Sequence, residues 1–171
     1  YDQMSIGGTE NPEIVYGFGV NLRWKELDFG AMFQGIGRTW RILSSNIMPA
    51  SNKGSMYNIF DNYQDRWTVD NQSQDVFYPR ADYGPNANNS QKSTWWLRNM
   101  SFLRLKNLEL GYSCPKKWLQ GFVISNARVF VRGTNLLTFS KFNLWDPELA
   151  TGDGAKYPAM KSVSVGFDIT F

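Results

Sequence analysis

Ser162-Val163-Ser164-Val165-Gly166-Phe167-Asp168-Ile169-Thr170-Phe171 alternates without a break. Val163, Val165, Phe167, Ile169 and Phe171 fall on one side of an extended chain, and Ser162, Ser164, Gly166, Asp168 and Thr170 on the other, because successive strand side chains point to opposite faces. A strand of this kind belongs at a boundary between an apolar phase and a wet one. A soluble β-sandwich supplies one such boundary. A transmembrane β-barrel supplies another, in which a strand of about 9–11 residues turns every second side chain to lipid.

Outward from this stretch, four more segments alternate: about 13–24, 27–37, 101–112 and 123–138. In the second, Leu27, Phe29, Ala31 and Phe33 oppose Asp28, Gly30, Met32 and Gln34; in the fourth, Ala127, Val129 and Val131 oppose Asn126, Arg128 and Arg132, with Phe130 out of phase. In the third, Leu103 and Leu105 are in one phase and Leu108, Leu110 and Tyr112 in the other. That change near Lys106 and Asn107 predicts a β-bulge or the end of a membrane zone.

The connections alternate too. Lys25-Glu26 and the turn from Ser113 to Phe122 are short, whereas 38–100 and 139–161 are long. Short turns at one end and long loops at the other are the outer-membrane pattern, with turns periplasmic and loops outside. A long loop without structure of its own is unusual in a compact soluble domain. The expectation is an all-β, antiparallel transmembrane barrel segment with Phe171 at the periplasmic rim, the alternative being a soluble carbohydrate-binding β-sandwich.

Composition agrees with both. Of 171 residues 16% are aromatic, with 12 Phe, 8 Tyr and 7 Trp, yet mean hydropathy is −0.41. No run approaches the roughly 18 apolar residues of a membrane-spanning helix, which excludes a helical membrane protein. Tyr1 onward shows no basic and then apolar leader. The 18 Lys and Arg against 15 Asp and Glu are scattered, so no nucleic-acid footprint is expected. With no His and a single Cys, Cys114, zinc sites of the Cys/His kind, His-based triads and an internal disulfide are out.

Ser101-Phe102-Leu103-Arg104-Leu105-Lys106-Asn107-Leu108-Glu109-Leu110-Gly111-Tyr112, followed by Pro115-Lys116-Lys117-Trp118-Leu119, resembles a stretch of the SusC-like (RagA-like) TonB-dependent transporters of the Bacteroidota. So does Arg128-Val129-Phe130-Val131-Arg132-Gly133-Thr134-Asn135-Leu136-Leu137-Thr138-Phe139-Ser140-Lys141, with Asp146-Pro147-Glu148 after it. Tyr16-Gly17-Phe18-Gly19, Phe33-Gln34-Gly35 and the segment from Asp65-Arg66-Trp67-Thr68 to Tyr78-Pro79-Arg80 fall in the family's order. Cys114 and Val69-Asp70-Asn71 depart from its pattern.

The resemblance implies a barrel of 22 strands around an N-terminal plug, with a SusD-like surface lipoprotein as lid, and TonB-ExbB-ExbD acting through the plug. Five strands cannot close such a barrel, so the resemblance makes this chain its C-terminal part, without plug, TonB box or leader. It implies an outer-membrane importer of oligosaccharide or peptide, embedded in lipid. It also implies that Val163, Val165, Phe167, Ile169 and Phe171 form the signal read by the barrel-assembly machinery.

No enzyme, catalytic residue or cofactor is expected, since such transport needs no covalent step in the barrel. Asp61, Asp65, Asp70 and Asp75 share one loop, but a glycosidase requires two carboxylates at a defined separation. Asp146, Glu148 and Asp153, beside Gly152 and Gly154, match no EF-hand loop and read as a solvated turn, so no metal site is expected. Trp67, Tyr78 and Trp145 are the ligand-binding candidates, because aromatic faces on loops can stack on sugar rings or peptide side chains, with an interfacial girdle or loop core as the open alternative. Trp95 and Trp96, just before a strand, read as girdle or loop-core residues.

Overall fold

The computed structural model describes residues 4–43, 47, 60–81, 86–89, 91–121 and 123–171. Within the expected loop 38–100, residues 44–46, 48–59, 82–85 and 90 therefore lie outside the described residues.

Five strands form one antiparallel sheet: β1 (Ile14–Trp24), β2 (Leu27–Gly37), β5 (Phe102–Ser113), β6 (Asn126–Ser140) and β7 (Ser162–Thr170), adjacent in that order. A ribbon pairs β3 (Trp40–Ile42) with β4 (Leu97–Asn99), and one helical turn, α1 (Lys116–Leu119), lies between β5 and β6. β3 and β4 have three residues each, too few for alternation to announce them. No helix of the described residues is long and apolar enough to cross a membrane.

The chain divides into two compact units. The five-stranded sheet lies in Gly8–Trp40, Asn99–Ala150 and Lys156–Phe171; the other unit comprises Tyr1–Gly7, Arg41–Arg98 and Thr151–Ala155. β6 is displaced from the expected 123–138: Ser125 only caps the sheet, donating from its backbone N–H to the Thr170 carbonyl at 2.7 Å, while Phe139 and Ser140 still pair with Leu103 and Phe102. The connection to β7 thus begins after Ser140.

The phase change in β5 is a bulge. Leu105 pairs with Phe33 and Asn107 with Met32, which leaves Lys106 as the extra residue. It returns Leu103, Leu105, Leu108, Leu110 and Tyr112 to a single face, since residues directly opposite across an antiparallel pair share a face. On β6 the matching irregularity holds Asn135 at φ 54°, a left-handed conformation that Asn tolerates better than most residues. Its amide donates to the Met160 carbonyl at 3.0 Å.

Register carries one apolar face across all five strands. Phe18 stacks on Phe33 with centroids 5.1 Å apart, Leu22 opposes Phe29, Phe29 opposes Leu110, Leu110 opposes Val131, and Val131 opposes Val165. The face is bare. Trp24 is 69% exposed, Val163 68% and Phe167 74%, and no second sheet packs on it among the described residues. A soluble sandwich would bury such a face against a second sheet, and among the described residues the only other sheet is the short β3–β4 ribbon, which counts against the sandwich alternative.

Candidate functional site

The opposite face of the sheet is polar and internally braced. Arg128 on β6 reaches across three strands: Nη2 lies 2.5 Å from Asp28 Oδ2 on β2 and 2.6 Å from Glu109 Oε1 on β5, and Nη1 lies 3.2 Å from Asp168 Oδ2 on β7. Arg132 closes the lattice, its Nη2 2.6 Å from Glu109 Oε2. A planar guanidinium with five N–H donors suits one centre serving several carboxylates.

Phe130, out of phase in the sequence, belongs to this face. Its ring lies between Arg128 and Arg132, with guanidinium carbons 5.0 and 5.2 Å from its centroid. Gly111 and Gly166 oppose it on either side, and a Cβ at Gly166 would collide with the ring. Gly166 thus makes room for the Phe130 ring, and Gly111 on the other side makes room for the Arg128–Asp28 pair.

Beside this lattice an open groove of about 880 Å³ runs over β1 and β2. Gly17, Gly19 and Gly30 leave bare backbone along it, and Asn21, Asn107 and Arg132 supply polar groups. Such a surface holds water, polar solute or polypeptide, and the two carboxylates that line it, Asp28 and Glu109, are paired with Arg128.

Towards the long-loop end, β5 holds down the β6–β7 connection. Arg104 is 2% exposed; it pairs with Asp146 through Nη2 and with Glu148 through Nη1, the latter at 2.7 Å. The Lys106 ammonium adds a contact of 3.1 Å to Glu148. Lys106, two residues after Arg104 along the strand, shares the Glu148 carboxylate with it. Asp146 also caps the 3-10 turn Pro147–Leu149, accepting from the Glu148 N–H at 3.0 Å. Asp146 and Glu148 are therefore anchors held by cations, which corrects the expectation of a solvated turn. No cluster of three or more metal-ligating side chains occurs among the described residues.

The loop candidates separate. Tyr78, 2% exposed, is at the core of its own unit, edge-on to Phe77 at 4.6 Å and near Trp96 at 6.4 Å. Its N–H and carbonyl bond Asp65 and Trp67. Burial, reinforced by the negative charge of Asp61, pushes the Tyr78 phenol above its ordinary range. A ring so covered has no face for a ligand, so Tyr78 is corrected to a loop-core residue. Trp67, in the same unit, is half-buried with the Arg80 guanidinium 5.8 Å from its ring. Trp145, in the sheet unit, is half-buried and edge-on to Phe142 at 4.9 Å. Its Nε1 is buried without a hydrogen-bond partner among the described residues. Trp96 is a core residue, donating from Nε1 to the Asn89 carbonyl at 2.9 Å, and Trp95 donates to the Phe77 carbonyl at 3.0 Å.

Comparison with known proteins gives a consistent set of relatives. No family model matches the chain. It is 31% identical over 185 aligned residues, 99% of its length, to TonB-dependent receptor P26 of Formosa agariphila, of which it covers 18%. Over 46% of its length it is 33% identical to TonB-dependent receptor SusC of Bacteroides thetaiotaomicron. Among solved structures, the RagAB peptide transporter superposes with a TM-score of 0.76 at 34% identity, over 97% of this chain and 18% of that one. The chain thus spans less than a fifth of the length of these relatives, and its sheet is a partial β-barrel like the matching part of theirs.

Proposed function

We propose that this chain, which belongs to the SusC-like (RagA-like) TonB-dependent transporters, forms barrel wall in an outer-membrane importer of oligosaccharide or peptide. The observation that carries the reading is the two-sidedness of the sheet. Its exposed apolar face suits lipid, and its polar face, with the Arg128 lattice and the glycine-lined groove, suits a wet lumen.

In this reading the Lys25-Glu26 turn and Phe171 lie at the periplasmic rim, and 38–100 and 141–161 lie outside. Val163, Val165, Phe167, Ile169 and Phe171 serve as the assembly signal. A SusD-like lipoprotein covers the outer end, and TonB-ExbB-ExbD acts through a plug elsewhere in the protein. The relatives are named as receptors and transporters, which supports a non-enzymatic role. Trp67 and Trp145 remain the aromatic contacts for substrate.

The test uses the full transporter in cells that depend on it for a nutrient. Import should require both the lid lipoprotein and an energised TonB complex. Trp67→Ala or Trp145→Ala should lower substrate affinity by about tenfold, about 1.4 kcal/mol, with barrel assembly unchanged. Tyr78→Ala should destabilise the loop unit, because it empties a packed core. Energy-independent uptake would sink the proposal.

A further inference from the structure

The short-turn end of the sheet carries a feature that transport leaves unused. Lys25 sits at φ 53° in the β1–β2 turn, its ammonium 5.1 Å from the Trp24 ring centroid. Lys116 and Lys117 stand on α1, immediately before Trp118. The two turns are tied together, since the Ser113 N–H donates to the Glu26 carbonyl at 2.8 Å. All three lysines are exposed and none has a carboxylate partner among the described residues. Trp24 and Trp118 are 69% and 65% exposed beside them.

This combination has a specific chemical fit. An exposed indole settles at the level of lipid headgroups, and an ammonium beside it is then held at the depth of the phosphate groups. Of the acidic side chains at this end, Asp28, Glu109 and Asp168 are held by Arg128, and Glu26 makes no ion pair with the lysines, so the lysines keep their charge for an outside anion. We propose that Lys25, beside Trp24, and Lys116 and Lys117, just before Trp118, form a docking site for the phosphates of anionic phospholipids in the leaflet at the short-turn end. The inference rests on the membrane reading of the sheet. The site would fix the height of this end in the bilayer and favour anionic over zwitterionic lipid around it.

The experiment uses the full transporter reconstituted into lipid nanodiscs containing phosphatidylglycerol and phosphatidylethanolamine. Retained lipid is identified by mass spectrometry after detergent competition. Each juxtamembrane lysine supplies about a five-fold preference for anionic lipid. The triple variant Lys25→Gln, Lys116→Gln, Lys117→Gln should therefore lose at least tenfold in the retained phosphatidylglycerol ratio, and the same three positions changed to Arg should keep it. Lys141→Gln, Lys156→Gln and Lys161→Gln together, at the opposite end, should leave the ratio unchanged. Equal loss from both glutamine triples would show a bulk charge effect and overturn the proposal, as would no loss from either. Failure of the wild-type protein to enter bilayers at all would overturn the membrane reading as well; entry without lipid preference would overturn this inference alone.

Discussion

Arg104→Ala should cost about 3–5 kcal/mol of stability and free the β6–β7 connection, because it leaves Asp146 and Glu148 facing each other without their main cation. Lys106 still reaches Glu148 but makes no contact with Asp146. Arg104→Lys should recover less than half of the loss, since one ammonium cannot form two separate guanidinium-type contacts. Adding Asp146→Asn and Glu148→Gln to Arg104→Met should be milder than Arg104→Ala alone, because the unpaired charges disappear along with their partner. The readouts are the temperature at which the folded barrel loses its mobility shift in detergent gels and protease cleavage within 141–161. A wild-type melting profile for Arg104→Ala would mean that the clamp contributes little.

That clamp also shows where sequence reading stops. Asp146-Pro147-Glu148 looked like a solvated turn because its partner lies more than forty residues away, on a strand whose local pattern is disturbed by the bulge at Lys106. Alternation in β2 and β7 was legible because each side chain answers to the solvent on its own side, which is local information. The sequence leaves Tyr78 open between a ligand contact and a loop core for the opposite reason. Nothing near it in the sequence announces that Phe77, Trp96 and Tyr63 enclose it. Phe130 was visible as an exception to its strand's alternation, and its explanation needed the register that places Gly111 and Gly166 across from it.

Val165→Arg is the second substitution with a large expected effect. Val165 lies mid-strand in β7 on the apolar face, opposite Val131, and it is 63% exposed. If that exposure is to lipid, an arginine there should cost about 2–4 kcal/mol, the range for a cation near the bilayer midplane of a barrel. Ser164→Arg, one residue away, opposes Arg132 on the polar face and should cost less than about 1 kcal/mol, since a wet lumen tolerates charge. The yield of assembled barrel in the outer membrane checks both. Similar losses at the two positions would indicate a face-independent defect in assembly.

The most direct test of the two-faced sheet is a cysteine scan of 162–170 in the full transporter with Cys114→Ser, each site carrying a fluorophore in lipid bilayers. Quenching by brominated acyl chains should be strong at 163, 165, 167 and 169, while water-soluble iodide should quench 162, 164, 168 and 170, with Gly166 left unchanged because a Cβ there meets the Phe130 ring. Quenching without a two-residue period, or with the two sets exchanged, would contradict the account.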